Sequence, residues 1–349
     1  MSYQNFADND KIEGNVVRGV TSTAFTGGSG SLTAFHTSST QVAADSGKYQ
    51  WQLYSDDPAS LSTAEVQFSI AYGHRRGSGS AGQTGATGGI TPTRTIYSQY
   101  RNLLLDDTDS ETNFTMADGS GHGRMYFITM NRARYKQGIN AGNWFLHLSS
   151  SAGHYTASIL ELMDDSSISN GETVNGHLVY NIVSGSETNG VYNDGSNYHY
   201  WGKFYPELGI FALAGNTLRH GTSLGPQGGH GFGITFSDSN NSYDTQNGDL
   251  YDAINRGKYF ALRSEEDVSS THYFVRAFNQ DFNYSTNPTY QTGSNGQLRH
   301  NSFIQNPQTY ITTVGLYNDA NELLAVAKLS KPMLKNFERE TTIRVKLDY

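Results

Sequence analysis

The chain contains no cysteine, which excludes disulfides, thiolate metal centres and thiol catalysis together. Charged residues make up only 16% of it, and the long runs of Ala, Leu, Glu and Lys that build helical bundles are missing. No apolar run approaches the ~20 residues that a membrane helix requires. The stretch from Met1 to Asp8 shows no basic segment followed by an apolar one, so no signal peptide is expected. These absences point to a soluble chain made in the cytoplasm. A basic field is lacking as well. The formal net charge is −8, which argues against a general nucleic-acid binder, because such a protein must neutralise phosphates.

What is present is aromatic and turn-forming: 23 Tyr, 17 Phe and 38 Gly, with Asn and Ser between the apolar stretches. Aromatic and β-branched residues fit a pleated, half-buried surface, and Gly or Asn supplies the tight corners. The expected fold is therefore all-β, mainly antiparallel sheets of a sandwich-like kind, with a few short helices and long Gly/Ser/Asn-rich loops. A division into residues 1–200 and 201–349 is expected, and no internal repeat is visible.

The region from Thr21 to Gly47 reads as a loose arm. From Glu65 to His74, Val66, Phe68, Ile70 and Tyr72 alternate with Gln67, Ser69 and Ala71, the period of a half-buried strand. A Gly/Ser/Thr loop follows from Gly77 to Gly89. Ile96, Tyr100, Leu103 and Leu104 share one face of an expected helix, Ile96 to Leu105, which Thr93 or Thr95 would cap. Further strands are expected at Met125–Tyr135, Asn143–Leu148, Thr156–Met163, His177–Val183, Leu208–Leu213, Tyr259–Leu262 and His272–Phe278. Gly221 to Gly248 reads as a long surface loop. At the end of the chain, Thr309–Tyr317 and Glu322–Leu329 flank the turn Asn318-Asp319-Ala320-Asn321. Ile343, Val345, Leu347 and Tyr349 then alternate with polar residues, so a three-stranded meander is expected to close the chain, pinned into a sheet of this chain or of a neighbour.

Chemical motifs are weak. Gly77-Ser78-Gly79-Ser80-Ala81-Gly82 fits a dinucleotide fingerprint, but Gln83 to Gly89 cannot supply the helix whose amino terminus would face the pyrophosphate. Gly221-Thr222-Ser223-Leu224-Gly225, near His220 and His230, fits a nucleophile elbow, yet Pro226, Gly228 and Gly229 forbid the helix an elbow needs. The acidic clusters Asp56-Asp57, Asp106 to Glu111 and Asp164-Asp165 read as solvated turns. Asp238 to Asp244 approaches calcium-loop spacing without its glycine. The 11 His residues form no ligand pair. No catalytic residue, cofactor or metal is therefore expected. Arg132, Arg134 and Lys136 would share one face of the Met125–Tyr135 strand. Three cations in a row repel one another, so either acidic partners, a neighbouring subunit or a solvated edge is needed to explain them.

Three stretches resemble virion structural proteins of large contractile-tailed bacteriophages, especially those infecting cyanobacteria. They are Ala64 to Ser80; Arg132-Ala-Arg-Tyr-Lys136 with Gly142 to Leu148 and Leu162 to Ser166; and, most specific, Phe282-Asn-Tyr-Ser-Thr-Asn-Pro-Thr-Tyr290 followed by Thr309 to Leu329 and the closing strand. The likeness leaves Ser184 to Asn279 untouched. It implies a self-assembling tail or baseplate part, present in many copies, whose partners are other virion proteins and not nucleic acid or membrane. It brings no catalytic residue. The expected contacts with other subunits are Arg132, Arg134, Lys136, Tyr310, Leu316, Tyr317, Val345, Leu347 and Tyr349. A different class, a glycan-gripping fibre module, would use Trp51, Trp144 and Trp201 and the loop Tyr192 to Tyr200 as platforms.

Overall fold

The computed structural model describes residues 5–38, 50–77, 93–105, 113–149, 159–193, 199–219, 243–293 and 295–348. Among them the chain is mainly antiparallel β. In chain order the strands are β1 (Lys11–Thr23), β2 (Ser31–Leu32), β3 (His36–Thr37), β4 (Trp51–Tyr54), β5 (Val66–His74), β6 (Phe114–Thr115) and β7 (Gly121–His122). There follow β8 (Arg124–Met130), β9 (Gly138–Ser149), β10 (Ile159–Asp164), β11 (Glu172–Val174), β12 (His177–Ser186), β13 (Gly190–Val191), β14 (Tyr200–Tyr205) and β15 (Ile210–Ala214). The last are β16 (Phe260–Ala277), β17 (Gln291–Thr292), β18 (Gln297–Leu298), β19 (Thr309–Tyr317), β20 (Leu323–Lys335) and β21 (Thr341–Asp348). Four helices accompany them: α1 (Thr93–Leu104), α2 (Gly215–Arg219), α3 (Tyr243–Asn255) and α4 (Ser302–Gln305).

The chain forms two compact units, one from Val20–Glu266 and the other from Met1–Gly19 with Asp267–Tyr349. The expected boundary between residues 200 and 201 falls inside β14, within the first of these. Strand pairing speaks against it: β12 and β14 are hydrogen-bonded neighbours, so no boundary runs between them.

In the larger unit the sheet order is β16-β9-β10-β12-β14-β15-β8-β5-β4-β3. The sheet curls over on itself. Phe68 of β5 meets Phe260 of β16 with ring centroids 5.3 Å apart, although six strands lie between them, and Trp144 of β9 meets Phe211 of β15 at 4.7 Å. Twisted sheets of this width curl because an open one would leave its apolar face in water. Tyr126, Ile128 and Met130 of β8 point into the concave core, with Phe211 and Leu213 of β15. Their neighbours Met125, Phe127, Ile210, Ala212 and Ala214 point outward and are covered by α1 through Ile96, Tyr97, Tyr100 and Leu104. Both faces of these strands are thus buried, more than the half-buried alternation of Glu65 to His74 implies.

Gly73 permits this covering. A β-carbon there would lie 2.9 Å from the Tyr97 backbone, too close for any side chain. The expected helix is confirmed at Thr93–Leu104, but Leu103 is exposed and Tyr97 and Arg101 are buried in its place.

The other side of the curl is packed by α3, through Leu250, Ala253 and Ile254. This corrects the expected loop: of Gly221 to Gly248, residues from Tyr243 onward are helical, and the rest lies outside the described residues. Tyr259–Leu262 and His272–Phe278 are parts of one long strand, β16. The Thr21–Gly47 arm is replaced, as far as residue 38, by the end of β1 and by β2 and β3, with Phe25 and Phe35 in the core.

The smaller unit is a two-layer sandwich. One layer pairs β16 with β21, Tyr273 opposite Val345 and Val275 opposite Ile343. The other is the β19–β20 hairpin. Ile343 and Val345 meet Val314 and Leu316 between the layers, with Ile311, Leu329, Met333 and Leu347 around them. The expected three-stranded meander is therefore wrong in its last step: β21 leaves β20 and joins β16 instead. The alternation of Ile343, Val345 and Leu347 is as expected. Periodicity fixes which face is buried, not which neighbour a strand takes.

Candidate interaction surface

The β19–β20 hairpin turns through Asn318 to Asn321, with Asn321 at φ 61° and the side chain of Asn318 bridging to Glu322 at both its backbone and its carboxylate. Register then sorts the side chains. Val314 opposite Ala327 and Leu316 opposite Ala325 face the core; Gly315 opposite Val326 and Thr313 opposite Lys328 face away from it.

Two irregularities shape the outer face. At the first, Ile311 is paired with Met333 and Thr313 with Lys328, so Leu329 to Pro332 bow out of the ladder, and Pro332, lacking an N–H, is accommodated there. At the second, Leu316 faces Ala325 but Tyr317 faces Leu323, leaving Leu324 as the extra residue of a bulge. The bulge turns Leu323 outward. A β-carbon on outward-facing Gly315 would touch the Tyr317 ring at 3.0 Å and Leu323 Cδ1 at 3.2 Å.

The result is an apolar patch in water. Leu324 is 67% exposed and Val326 58%, with Leu323 beside them. Clustered exposed hydrophobics of this kind mark contact surfaces, whereas scattered ones need no explanation. Lys328, opposite Thr313, is exposed on the same outer face.

The other expected contact residues fare differently. Leu316 and Val345 are buried in the sandwich core and Leu347 packs against it, so these three stabilise the unit and offer nothing to a neighbour. Tyr317 is half-buried beside the patch, Tyr310 is exposed within its strand, and Tyr349 lies outside the described residues. Arg132, Arg134 and Lys136 do not share a strand face, because β8 ends at Met130 and Arg132–Arg134 is a turn of 3-10 helix. Each cation is answered within its own chain. Arg132 donates to the Tyr135 carbonyl at 2.7 Å and lies over its ring, Arg134 pairs with Glu65 at 2.8 Å, and Lys136 lies 3.5 Å from Glu266. Acidic partners, one of the expected explanations, account for Arg134 and Lys136, while Arg132 is met by a carbonyl and a ring.

Trp51, Trp144 and Trp201 are all buried in the core of the curled sheet, so none is a platform for a glycan. Of the Tyr192–Tyr200 loop, residues 194–198 lie outside the described residues. So do the Gly77–Gly89 loop from residue 78, the nucleophile-elbow sequence, and the acidic runs 106–111 and 238–242.

Ionisable groups elsewhere serve structure. Asp164 accepts from the backbone N–H groups of Gly142 (2.8 Å) and Ser166 (3.0 Å), and Asp165 accepts from Asn181 twice. Asp57 holds a turn through Ser60 and Ala59, and those hydrogen bonds keep its carboxyl below the usual range. Ser120 Oγ lies 2.9 Å from His122 Nε2 and donates to Asp118, but the order of partners is not that of a charge-relay triad, since the carboxylate touches the hydroxyl and not the imidazole.

A second group gathers at the end of β5 and β8. Burial, then Arg124, Arg76 and Arg75, push His74 down to about 4, and burial raises Tyr72 to about 12 and holds Tyr126 well above the ordinary phenol value. Tyr126 donates to Gln246 of α3 at 2.8 Å, and burial, then Asp252, raises Asp249 to about 6. The phenols stay protonated and the imidazole neutral near pH 7.

Among the described residues no cluster of His, Asp and Glu suits a metal ion, and no helix is long and apolar enough to cross a membrane. No family model, no curated protein and no solved structure matches the chain.

Proposed function

We propose that this chain is a structural subunit of a bacteriophage virion, placed in the tail baseplate, that works by holding other virion proteins and carries out no reaction. One observation carries the reading. The most specific part of the phage resemblance, Phe282 to Tyr290 with Thr309 to Leu329 and the closing strand, falls wholly within the smaller unit, and that unit presents an apolar hairpin face to solvent. A sandwich whose core is already filled has no internal use for such a face. Tyr and branched aliphatic side chains with a polar rim are the materials of protein contacts.

The partners on this reading are other tail proteins, the chain being present in many copies, with no cofactor. Mass spectrometry of purified particles of the phage whose genome encodes the chain tests it. Peptides from both units should be found at a stoichiometry above one per particle, and their absence from intact particles would end the proposal.

A further inference from the structure

We infer that β21 offers its free edge to an extended strand of another protein, one with acids on its outward face and branched apolar residues on its inward face. This rests on the reading of the chain as a subunit that holds other virion proteins, and says how one of them is held. β21 is paired with β16 from Thr341 to Asp348, in 8 consecutive positions without a register shift. On its other side no strand or turn is bonded to it among the described residues. Alternate backbone N–H and C=O groups of an antiparallel edge strand point away from the ladder, and another strand takes them up in order.

Prolines and bulges close such edges. β20 carries both, Pro332 and the extra residue Leu324. β21, Thr-Thr-Ile-Arg-Val-Lys-Leu-Asp, has no Pro, no Gly and no irregularity. Its side chains say which strand fits. Ile343, Val345 and Leu347 face the sandwich core, while Thr342, Arg344 and Lys346 are exposed on the other face. Lys346 lies 2.7 Å from Asp348, and Arg276 of β16 lies 2.7 Å from Asp10. Arg344, opposite Phe274, has no carboxylate partner among the described residues. An acid on the incoming strand, directly across from Arg344, supplies one. Branched apolar residues on either side of that acid then lie beside Ile343 and Val345 and continue the core layer. A second copy of β21 is a poor occupant. Whichever of residues 344 to 346 lay on the two-fold axis, at least one cation would face a cation across the new pair, which is unfavourable.

Hydrogen exchange followed by mass spectrometry on the purified full-length chain tests this. The probe is a capped peptide of alternating Val and Glu, as long as β21. It should slow amide exchange within residues 341–348 and leave β19 and β20 unchanged. Its backbone N-methylated form, which can neither donate to an edge nor lie close against one, should give no protection. Arg344→Glu, a change at an exposed position, should weaken binding of this peptide about fivefold and let a peptide of alternating Val and Lys bind instead. Unchanged exchange in 341–348 at the highest soluble peptide concentration, equal protection by the N-methylated form, or an affinity indifferent to Arg344→Glu overturns the inference. So does protection of 341–348 that grows with protein concentration in the absence of peptide, since the occupant is then a second copy. A failure here with the chain present in particles strikes the edge and spares the virion reading, whereas absence from particles strikes that reading itself.

Discussion

Lys335 ends β20 completely buried, and its ammonium donates to three oxygens: the Asn279 carbonyl at 2.9 Å, Asn283 Oδ1 at 3.0 Å and the Asn336 carbonyl at 3.0 Å. It thereby clamps the 279–283 segment to the hairpin. Burial pushes its pKa down, against the pull of Asp281 and Glu340. Replacing it by Met keeps most of the stem volume and removes the charge. Two of the three oxygens then retain another donor, since Asn283 Nδ2 reaches the Asn279 carbonyl at 2.6 Å and the Arg339 N–H reaches the Asn336 carbonyl at 3.3 Å. Asn283 Oδ1 is left stranded, which costs about 1–3 kcal/mol, while relief of the buried charge offsets part of the loss of the other two bonds. The expected effect of Lys335→Met is therefore about 2 kcal/mol.

Asn283→Ala leaves the buried ammonium one acceptor short and should cost at least as much. In the double variant neither the ammonium nor Asn283 Oδ1 remains to be orphaned, but the Asn279 carbonyl loses both its donors, so the two effects should fall short of adding by only about 1 kcal/mol. Urea denaturation of the wild type, both single variants and the double variant gives the coupling. A coupling below about 0.5 kcal/mol would refute the clamp. The sign of the pH dependence follows as well. The folded pKa lies below 10.5, so the unfolded chain binds more protons between the two values. Stability should rise with pH across that window in the wild type, and Lys335→Met should lose the rise.

Gly73→Ala should cost about 1–3 kcal/mol and expose the outer face of β5, because α1 cannot back away without uncovering Phe127; thermal denaturation measures it. His74 titrates near 4 in the fold and near 6.5 when free, so stability should fall as pH drops from 6.5 to 4, by at most about 3 kcal/mol, and His74→Gln should flatten that part of the profile. Arg134→Gln should change stability by less than about 1 kcal/mol in urea denaturation, because Glu65 is half exposed. The three Trp indoles should emit at short wavelength and resist acrylamide quenching, a result unchanged by added glycans; strong quenching would contradict their burial.

The local pattern determined a good deal. Alternation of Phe68, Ile70 and Tyr72, and of Ile343, Val345 and Leu347, reflects the two-residue period of a strand, and the Asn-rich turn before Glu322 is set by the φ that Asn321 must adopt. The all-β class followed from the same signals. Helix α3 was hidden because Gly248, Asn247 and Gln246 mask the spacing of Leu250 and Ile254, and its helical state is held by packing on the curled sheet more than by propensity.

Only tertiary structure decided which strands pair. Leu316, Val345 and Leu347 look alike in sequence whether they face a partner or a core, and the choice of β16 over β20 as the neighbour of β21 put them inside. The same choice left Leu324 and Val326 outside. A side chain's period is written in its immediate neighbours along the chain, but the surface it meets is supplied by segments far away, and no local pattern encodes that.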